Sequence, residues 1–322
     1  MPTAADHLAA FASLQKRTPF GYEHAHTHDG GKHSFHLVFG AITHGNEVGS
    51  LPAFVGIARA LIDGSLPYGG RVTLMLGNPE AALAGQRLLE ADLNRAFVDG
   101  DTHEHRRARQ LTPILESADL FLDFHQVSVR TPQPFYTLPW SLTAWRWLRA
   151  LEGAPVWITR PPGQVFATGT RGGDEVVRQR GKPGLTLELG EAGLFPEAAA
   201  RTAAVIARAL ALADAIAEGR TTLAEASDLS PPLRFLRTAH KEPFGDPARA
   251  LRPGLGYFDL VRAGERLERP GSPPIIAPVD GVLVFPKYVD RAPDGRALPP
   301  IPTDIFHIAQ PMPQHPHDLW QD

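Results

Sequence analysis

The sequence predicts an α/β protein: a mixed, mostly parallel sheet flanked by helices, followed by a smaller C-terminal all-β domain. Between about residues 34 and 218, short apolar runs typical of buried strands alternate with helical periodicities, which favours a largely parallel sheet. After about residue 225 the helical periodicity ends, and short runs separated by Pro, Gly and Asp follow. We therefore predict two domains, residues 1–224 and 225–322.

Five runs of strand length carry the prediction of the sheet. They are short and nearly continuously apolar, as expected of strands that are covered on both faces. Asn-Pro closes the second run, which is a turn signal. The runs are residues 34–42, 71–79, 120–126, 154–160 and 184–190.

Three longer segments have apolar residues at helical spacing. The first begins at Leu51 and ends at Ile62, with Gly64 just beyond it, and the second covers about residues 103–118. The third is rich in alanine, covers about residues 196–218 and stops before a glycine. Their positions between the apolar runs predict helices that cover the sheet.

Composition excludes several classes of protein and of site. The formal net charge of −3 leaves no electrostatic footprint for nucleic acid or an anionic membrane. Because there is no cysteine, any metal ion must be held by histidine and carboxylate side chains. The start of the chain lacks the features of a secretory signal, and no window has the apolar length of a membrane span. We therefore expect a cytoplasmic protein.

The first apolar run ends at Ile42 and is followed directly by His44, Gly45 and Glu47. Ligands of open α/β sheets bind at this carboxyl edge of the strands. One imidazole and one carboxylate are two of the three protein ligands that a catalytic zinc ion needs. A surface histidine near a glutamate that favours the start of a helix also explains the spacing.

His125 closes the apolar run "LFLDF" and would lie at the same edge of the sheet. It would complete a His/Glu/His set of metal ligands that leaves one coordination position open. A structural histidine held by hydrogen bonds is the alternative explanation. Asp123 would point to the same side of the strand, where it would orient a ligand or an arginine, or form a buried ion pair.

Two further segments carry polar residues among apolar ones. Residues 78–97 concentrate an asparagine-arginine set that suits a substrate carboxylate, and a solvated helix face explains it as well. The set comprises Asn78, Arg87, Asp92, Asn94 and Arg95. Glu188 lies between leucines in "GLTLELG", where a carboxylate is costly unless it is paired or takes part in chemistry. The polar face of an edge strand is the alternative for this residue.

Read together and in order, the segments "THGNE", "DLNRAF", "DFHQ" and "LELGE" resemble the succinylglutamate desuccinylase/aspartoacylase family. These are zinc amidohydrolases with a zinc carboxypeptidase-like fold. The resemblance spans about residues 34–192, and a weaker similarity extends over the C-terminal β unit.

The resemblance implies the catalytic residues and a cofactor. His44, Glu47 and His125 would bind one Zn²⁺ per chain. Glu188 would be the general acid/base, and Arg87 would polarise the scissile carbonyl.

The resemblance also implies substrate contacts. Asn94 and Arg95 would bind the α-carboxylate of an N-acyl amino acid. Arg178 would contact substrate, with Arg180 as the alternative. Tyr288 would be a contribution of the β domain to the rim of the pocket.

The resemblance thus implies a zinc-dependent amidohydrolase that removes an acetyl-type or succinyl-type acyl group from an N-acyl amino acid. Leu88 stands where aspartoacylases usually carry an aromatic residue, and this change leaves the acyl group and the side-chain preference open. The alternatives are a carboxypeptidase-like hydrolase of small peptides and a non-catalytic metal- or ligand-binding relative. A homo-oligomer is compatible with the sequence.

Overall fold

The computed structural model describes residues 2–14, 24–165, 167–298 and 301–320. In this part of the chain, eleven strands form one sheet. The strands are β1 (Ala25–Asp29), β2 (His36–Ala41), β3 (Arg71–Leu76), β4 (Leu120–Val127), β5 (Phe135–Pro139), β6 (Val156–Arg160), β7 (Gly184–Glu191), β8 (Arg234–Pro243), β9 (Leu260–Val261), β10 (Gly281–Val284) and β11 (Asp304–Pro311).

The described residues also form nine α-helices and one 3₁₀ turn, at Leu93–Arg95. The helices are α1 (Ala4–Leu14), α2 (Leu51–Asp63), α3 (Pro79–Leu83), α4 (His103–Glu116), α5 (Leu142–Leu151), α6 (Gly173–Arg178), α7 (Pro196–Ala217), α8 (Leu223–Asp228) and α9 (Pro316–Leu319). None of the described helices has a stretch that is long and apolar enough to cross a membrane.

The strands follow the order β1-β3-β2-β4-β7-β5-β6-β8-β11-β10-β9. The adjacent strands β3, β2, β4 and β7 are parallel to one another. The next strand, β5, is antiparallel to β7 and parallel to β6. Strand β6 is also parallel to β8. The outer pairs, β1 with β3 and β8 to β9, are antiparallel. The prediction of a mixed, mostly parallel α/β sheet with C-terminal strands is confirmed.

The five predicted strands are β2, β3, β4, β6 and β7, and the three predicted helices are α2, α4 and α7. Gly64 ends α2 in the left-handed conformation, with φ of 78°. Two strands were not predicted. β1 has the sequence AHTHD and β5 is a five-residue strand that ends in proline, so neither shows a long apolar run.

The C-terminal strands extend the main sheet, because β8 pairs in parallel with β6. They also have an apolar cluster of their own, which includes Phe244, Leu267, Leu283 and Phe306. The predicted boundary between residues 224 and 225 falls within α8. The division into two domains stays a prediction.

Packing of β4 against α2 decides which side chains of β4 project from each face of the sheet. Phe124 is buried, and its ring centre lies 6.3 Å from that of Phe39 and 6.1 Å from that of Phe54. Because side chains alternate along a strand, Asp123 and His125 project from the opposite face of the sheet. The aromatic contacts therefore fix the orientation of the histidine.

His36, the first residue of β2, is a buried histidine held by neutral partners. Its Nδ1 lies 3.2 Å from the Ser117 carbonyl oxygen and its Nε2 lies 2.9 Å from the Thr73 hydroxyl. Burial lowers the pKa of His36 to about 4. The folded chain therefore disfavours a proton at this position.

We expect the free energy of unfolding to fall as the pH drops from about 6.5 towards 4, because the unfolded chain protonates His36 first. The loss attributable to His36 approaches about 3 kcal/mol once the pH is below both pKa values. Urea unfolding of the wild type and His36→Gln across this range measures it, and the variant should show the shallower dependence on pH. Parallel curves for the two proteins would contradict the prediction.

Candidate metal and catalytic site

His44, Glu47 and His125 converge at the carboxyl edge of β2 and β4. One potential ligand atom from each lies within 4.8 Å of the other two, and all three residues are buried. The Nδ1 atoms of His44 and His125 lie 2.7 Å and 3.0 Å from the Glu47 carboxylate oxygens. The donor set of two imidazoles and one carboxylate fits a divalent metal ion.

The chain between β2 and α2 is shaped to bring His44 and Glu47 to this edge. Ile42 has a positive φ of 50°, which is a strained conformation for a β-branched residue. A Cβ at Gly45 would lie 2.4 Å from the backbone of Ala81 and Ala82. Gly45 is therefore required by the close approach of α3.

A carboxylate contacts the second ring nitrogen of each histidine. The Nε2 of His44 lies 3.0 Å from Asp92, and that of His125 lies 2.8 Å from Asp123. Asp123 also accepts a hydrogen bond of 2.8 Å from the Thr43 hydroxyl. Such contacts orient metal-binding histidines and strengthen them as ligands.

The electrostatics of the cluster favour a cation. Burial on its own would raise the pKa of Glu47, but His44 and His125 outweigh burial and hold the pKa below its usual range. Burial likewise opposes protonation of His125, yet Asp123 and Glu47 raise its pKa well above the ordinary value. The surplus of negative charge at this edge suits a bound metal ion.

Glu188 lies on β7 directly beside His125 of β4. Its Oε2 is buried and has no hydrogen-bond partner among the described residues. Burial raises the pKa of Glu188 to about 7. The edge-strand interpretation of Glu188 is wrong, because β7 lies between β4 and β5.

Residues 84–97 form a loop with one 3₁₀ turn, so the interpretation of this segment as a solvated helix face is wrong. Nη1 of Arg87, whose side chain is about half exposed, donates to Glu47 over 2.9 Å. Asp92 caps the turn by accepting from the Asn94 amide over 2.9 Å, and Arg95 donates to the Asn94 carbonyl over 2.6 Å. Arg87 thus reaches the cluster directly, while Asn94 and Arg95 lie on the adjoining turn.

Glu104 anchors this loop and was not identified from the sequence. Its buried carboxylate accepts hydrogen bonds from the amides of Leu89 and Ala91, at 2.7 Å and 2.9 Å, and from the side chain of Asn78 at 3.0 Å. A glutamate in the first turn of a helix is common, and it gives no signal that it binds a distant loop.

Arg178 lies at the end of α6, over β7. It donates to Asp174 over 2.5 Å and to the Gly184 carbonyl over 3.0 Å, so its side chain lies in a partly buried ion pair. Arg180, the alternative, is exposed. A substrate contact by either arginine stays a prediction.

Tyr288 and Lys287 come from the C-terminal strands. The Tyr288 hydroxyl donates to the carbonyls of Arg252 and Leu255, at 2.8 Å and 3.0 Å, and so ties this part of the chain together. Its place at the pocket rim stays a prediction. Desolvation and the nearby Arg87 lower the pKa of Lys287. Only its position beside Tyr288 marks Lys287 in the sequence.

Comparison with known proteins agrees with this architecture. Residues 36–213 match the model of the succinylglutamate desuccinylase/aspartoacylase catalytic domain. The succinylglutamate desuccinylase of Serratia proteamaculans is 32% identical over 194 residues, covering 54% of this chain and 57% of the relative. That of Pseudomonas aeruginosa is 31% identical over 180 residues, covering 50% and 52%. The chain thus spans about half the length of the curated relatives it matches.

Solved structures share the fold. The succinylglutamate desuccinylase of Chromobacterium violaceum superposes with a TM-score of 0.67 at 17% identity, covering 98% of this chain and 100% of the other. Murine aminoacylase 3 superposes with a TM-score of 0.58 at 21% identity, covering 86% and 94%. Because the family model matches more than half of the residues, this chain belongs to the succinylglutamate desuccinylase/aspartoacylase family.

Proposed function

We propose that the chain is a zinc-dependent deacylase, which hydrolyses the amide bond of an N-acyl amino acid with an acetyl-type or succinyl-type acyl group. The observation that carries the proposal is the convergence of His44, Glu47 and His125 beside Glu188. Membership of the family supports the reaction class.

The metal ligands would be His44, Glu47 and His125, holding one zinc ion per chain. Their donor atoms already face one another, and Asp92 and Asp123 hold the far side of each ring. Zinc bound there supplies the Lewis acidity that activates water and polarises an amide carbonyl. Since two imidazoles and a carboxylate accept several divalent ions, the identity of the metal is part of the proposal.

Glu188 would move the proton. A carboxyl group with a pKa of about 7 can accept a proton from the attacking water and return it to the amide nitrogen as the C–N bond breaks. Its free, buried Oε2 supports this role, because a hydrogen bond with a structural partner would compete with proton transfer.

Arg87, Asn94 and Arg95 would position the substrate. Arg87 is half exposed and contacts Glu47, so it can bind the carbonyl oxygen as negative charge develops on it. Asn94 and Arg95 would bind the α-carboxylate through an amide and a guanidinium. Binding at both ends of the substrate makes the attack by water effectively intramolecular.

Glu188→Gln should reduce amine release by about a hundredfold to ten-thousandfold, the usual contribution of general acid/base catalysis. Glutamine cannot accept the proton but keeps the size of the side chain. Amine release from N-acetyl and N-succinyl amino acids measures the effect, and assay of dipeptides beside them separates a deacylase from a peptidase.

Glu191→Gln is the matched control, because Glu191 lies on the same strand and is exposed. It should have nearly wild-type activity. Elemental analysis should find the same zinc content in both variants and in the wild type. Near-normal turnover by Glu188→Gln would show that another group moves the proton.

His125→Ala should remove zinc from the purified chain, because it deletes one of the three ligands. Asp123→Asn should keep the metal but bind it about tenfold to a hundredfold more weakly, as expected when the partner of a ligand is changed. Competition with a chromophoric chelator measures these affinities, with the exposed His317→Ala as a control. Unchanged zinc affinity in His125→Ala would refute the ligand assignment.

A further inference from the structure

Gln126 follows the proposed ligand His125 on β4, and its side chain is not used by the proposed mechanism. Because side chains alternate along a strand, the Gln126 carboxamide lies on the face of the sheet opposite to His125. The residue is only 3% exposed, so its hydrogen bonds are made away from water. These bonds reach both of the loops that adjoin the candidate site.

The carboxamide oxygen holds the loop that carries Glu47. Its Oε1 accepts a hydrogen bond of 2.7 Å from the amide of Gly49, two residues after Glu47. The backbone amide of Gln126 donates to Oε2 of Glu47 over 3.0 Å. A Cβ at Gly49 would lie 2.5 Å from the side-chain nitrogen of Gln126, so the carboxamide packs directly on this loop. Gln126 therefore holds both the carboxylate of Glu47 and the chain that follows it.

The carboxamide nitrogen holds the end of the strand that carries Glu188. Its Nε2 donates to the carbonyl of Glu191 over 2.6 Å and to that of Gly193 over 3.1 Å. An amide group has two N–H donors, so both bonds can form at once. One side chain thus connects the loop of Glu47 to the end of β7.

Strand pairing alone does not fix this end of β7. His125 pairs with Glu188, but Val127 pairs with Glu191, so β7 has one residue more than β4 between the two pairs. Such an irregularity interrupts the ladder of hydrogen bonds and changes the direction of nearby side chains. Gln126 lies between the two pairs on β4, and its side chain supplies hydrogen bonds where the ladder is interrupted.

We propose that Gln126 is a positioning residue, whose carboxamide holds Glu188 at a fixed distance from Glu47 and His125. The inference rests on the proposed function, in which Glu188 must reach both the attacking water and the amide nitrogen. A displacement of about 1 Å can cost about a hundredfold in rate. The bonds from Gln126 oppose such a displacement, because breaking them would leave buried carbonyl groups unpaired.

Gln126→Met tests this role, because methionine keeps the length of the side chain but makes none of these hydrogen bonds. With N-acyl amino acids as substrates, kcat should fall about tenfold or more, while KM stays within about threefold. The zinc affinity, measured by competition with a chelator, should not show the tenfold to hundredfold loss that is roughly expected when the partner of a ligand is changed. All three proposed ligands remain in this variant, as does the backbone amide that donates to Glu47.

Gln310→Met is the matched control. The Gln310 side chain also donates to a backbone carbonyl, that of Asp280 over 2.7 Å, but it lies on β11. This variant should have the kcat of the wild type.

Gly49→Ala displaces the Gln126 carboxamide without deleting it, and it decides the question if Gln126→Met does not fold. It should lower kcat and leave KM nearly unchanged, as Gln126→Met does. In a Gln126→Ala background it should lower kcat little further, because both changes act through one side chain. A wild-type kcat in Gly49→Ala would contradict the inference.

Hydrogen exchange tests the positioning role without a substrate. The peptide of residues 188–195 should exchange faster in Gln126→Met than in the wild type, and at the wild-type rate in Gln310→Met. If the wild type releases no amine, the proposed function fails, and faster exchange still supports the hold of Gln126 on β7. Unchanged exchange would overturn the inference, as would a wild-type kcat in Gln126→Met or a loss of zinc that explains the whole fall in activity.

Discussion

The candidate site depends on one buried carboxylate. Glu47 contacts His44 and His125 at once, accepts a hydrogen bond of 3.0 Å from the Gln126 amide and pairs with Arg87. A charge that is buried without partners costs several kcal/mol, and these contacts together offset that cost. The same contacts hold two distant segments of the chain together, because they join the end of β2 to the end of β4.

That convergence requires a single register of the central strands. Ala41 of β2 pairs with Phe124 of β4, so the residues that follow β2 meet the end of β4. A slip of one residue would turn His125 towards α2 and bring Phe124 to the polar face. The packing of Phe124 against two aromatic rings opposes this slip. The apolar core on one face therefore determines the site on the other.

This dependence explains how much the sequence could predict. Residues at the ends of apolar runs, such as His44 and His125, follow from local pattern, because parallel strands end at a common edge. Glu104 and Lys287 could not be found in this way, since their positions depend on how a loop and the C-terminal strands pack over that edge. For the same reason β1 and β5 were missed: tertiary pairing, rather than an apolar run, makes them strands.

The charges of the cluster determine how readily Glu188 is protonated. The acidic cluster around Glu47 suits a metal ion. Glu188 lies beside this cluster. Burial and the charge of Glu47 raise its pKa, while His125 opposes the rise. This balance holds the pKa of Glu188 at about 7. Acidic neighbours alone would keep the carboxyl group protonated, and basic neighbours alone would keep it ionised. The residues that would bind the metal ion thus also set the pKa of the residue proposed to transfer the proton.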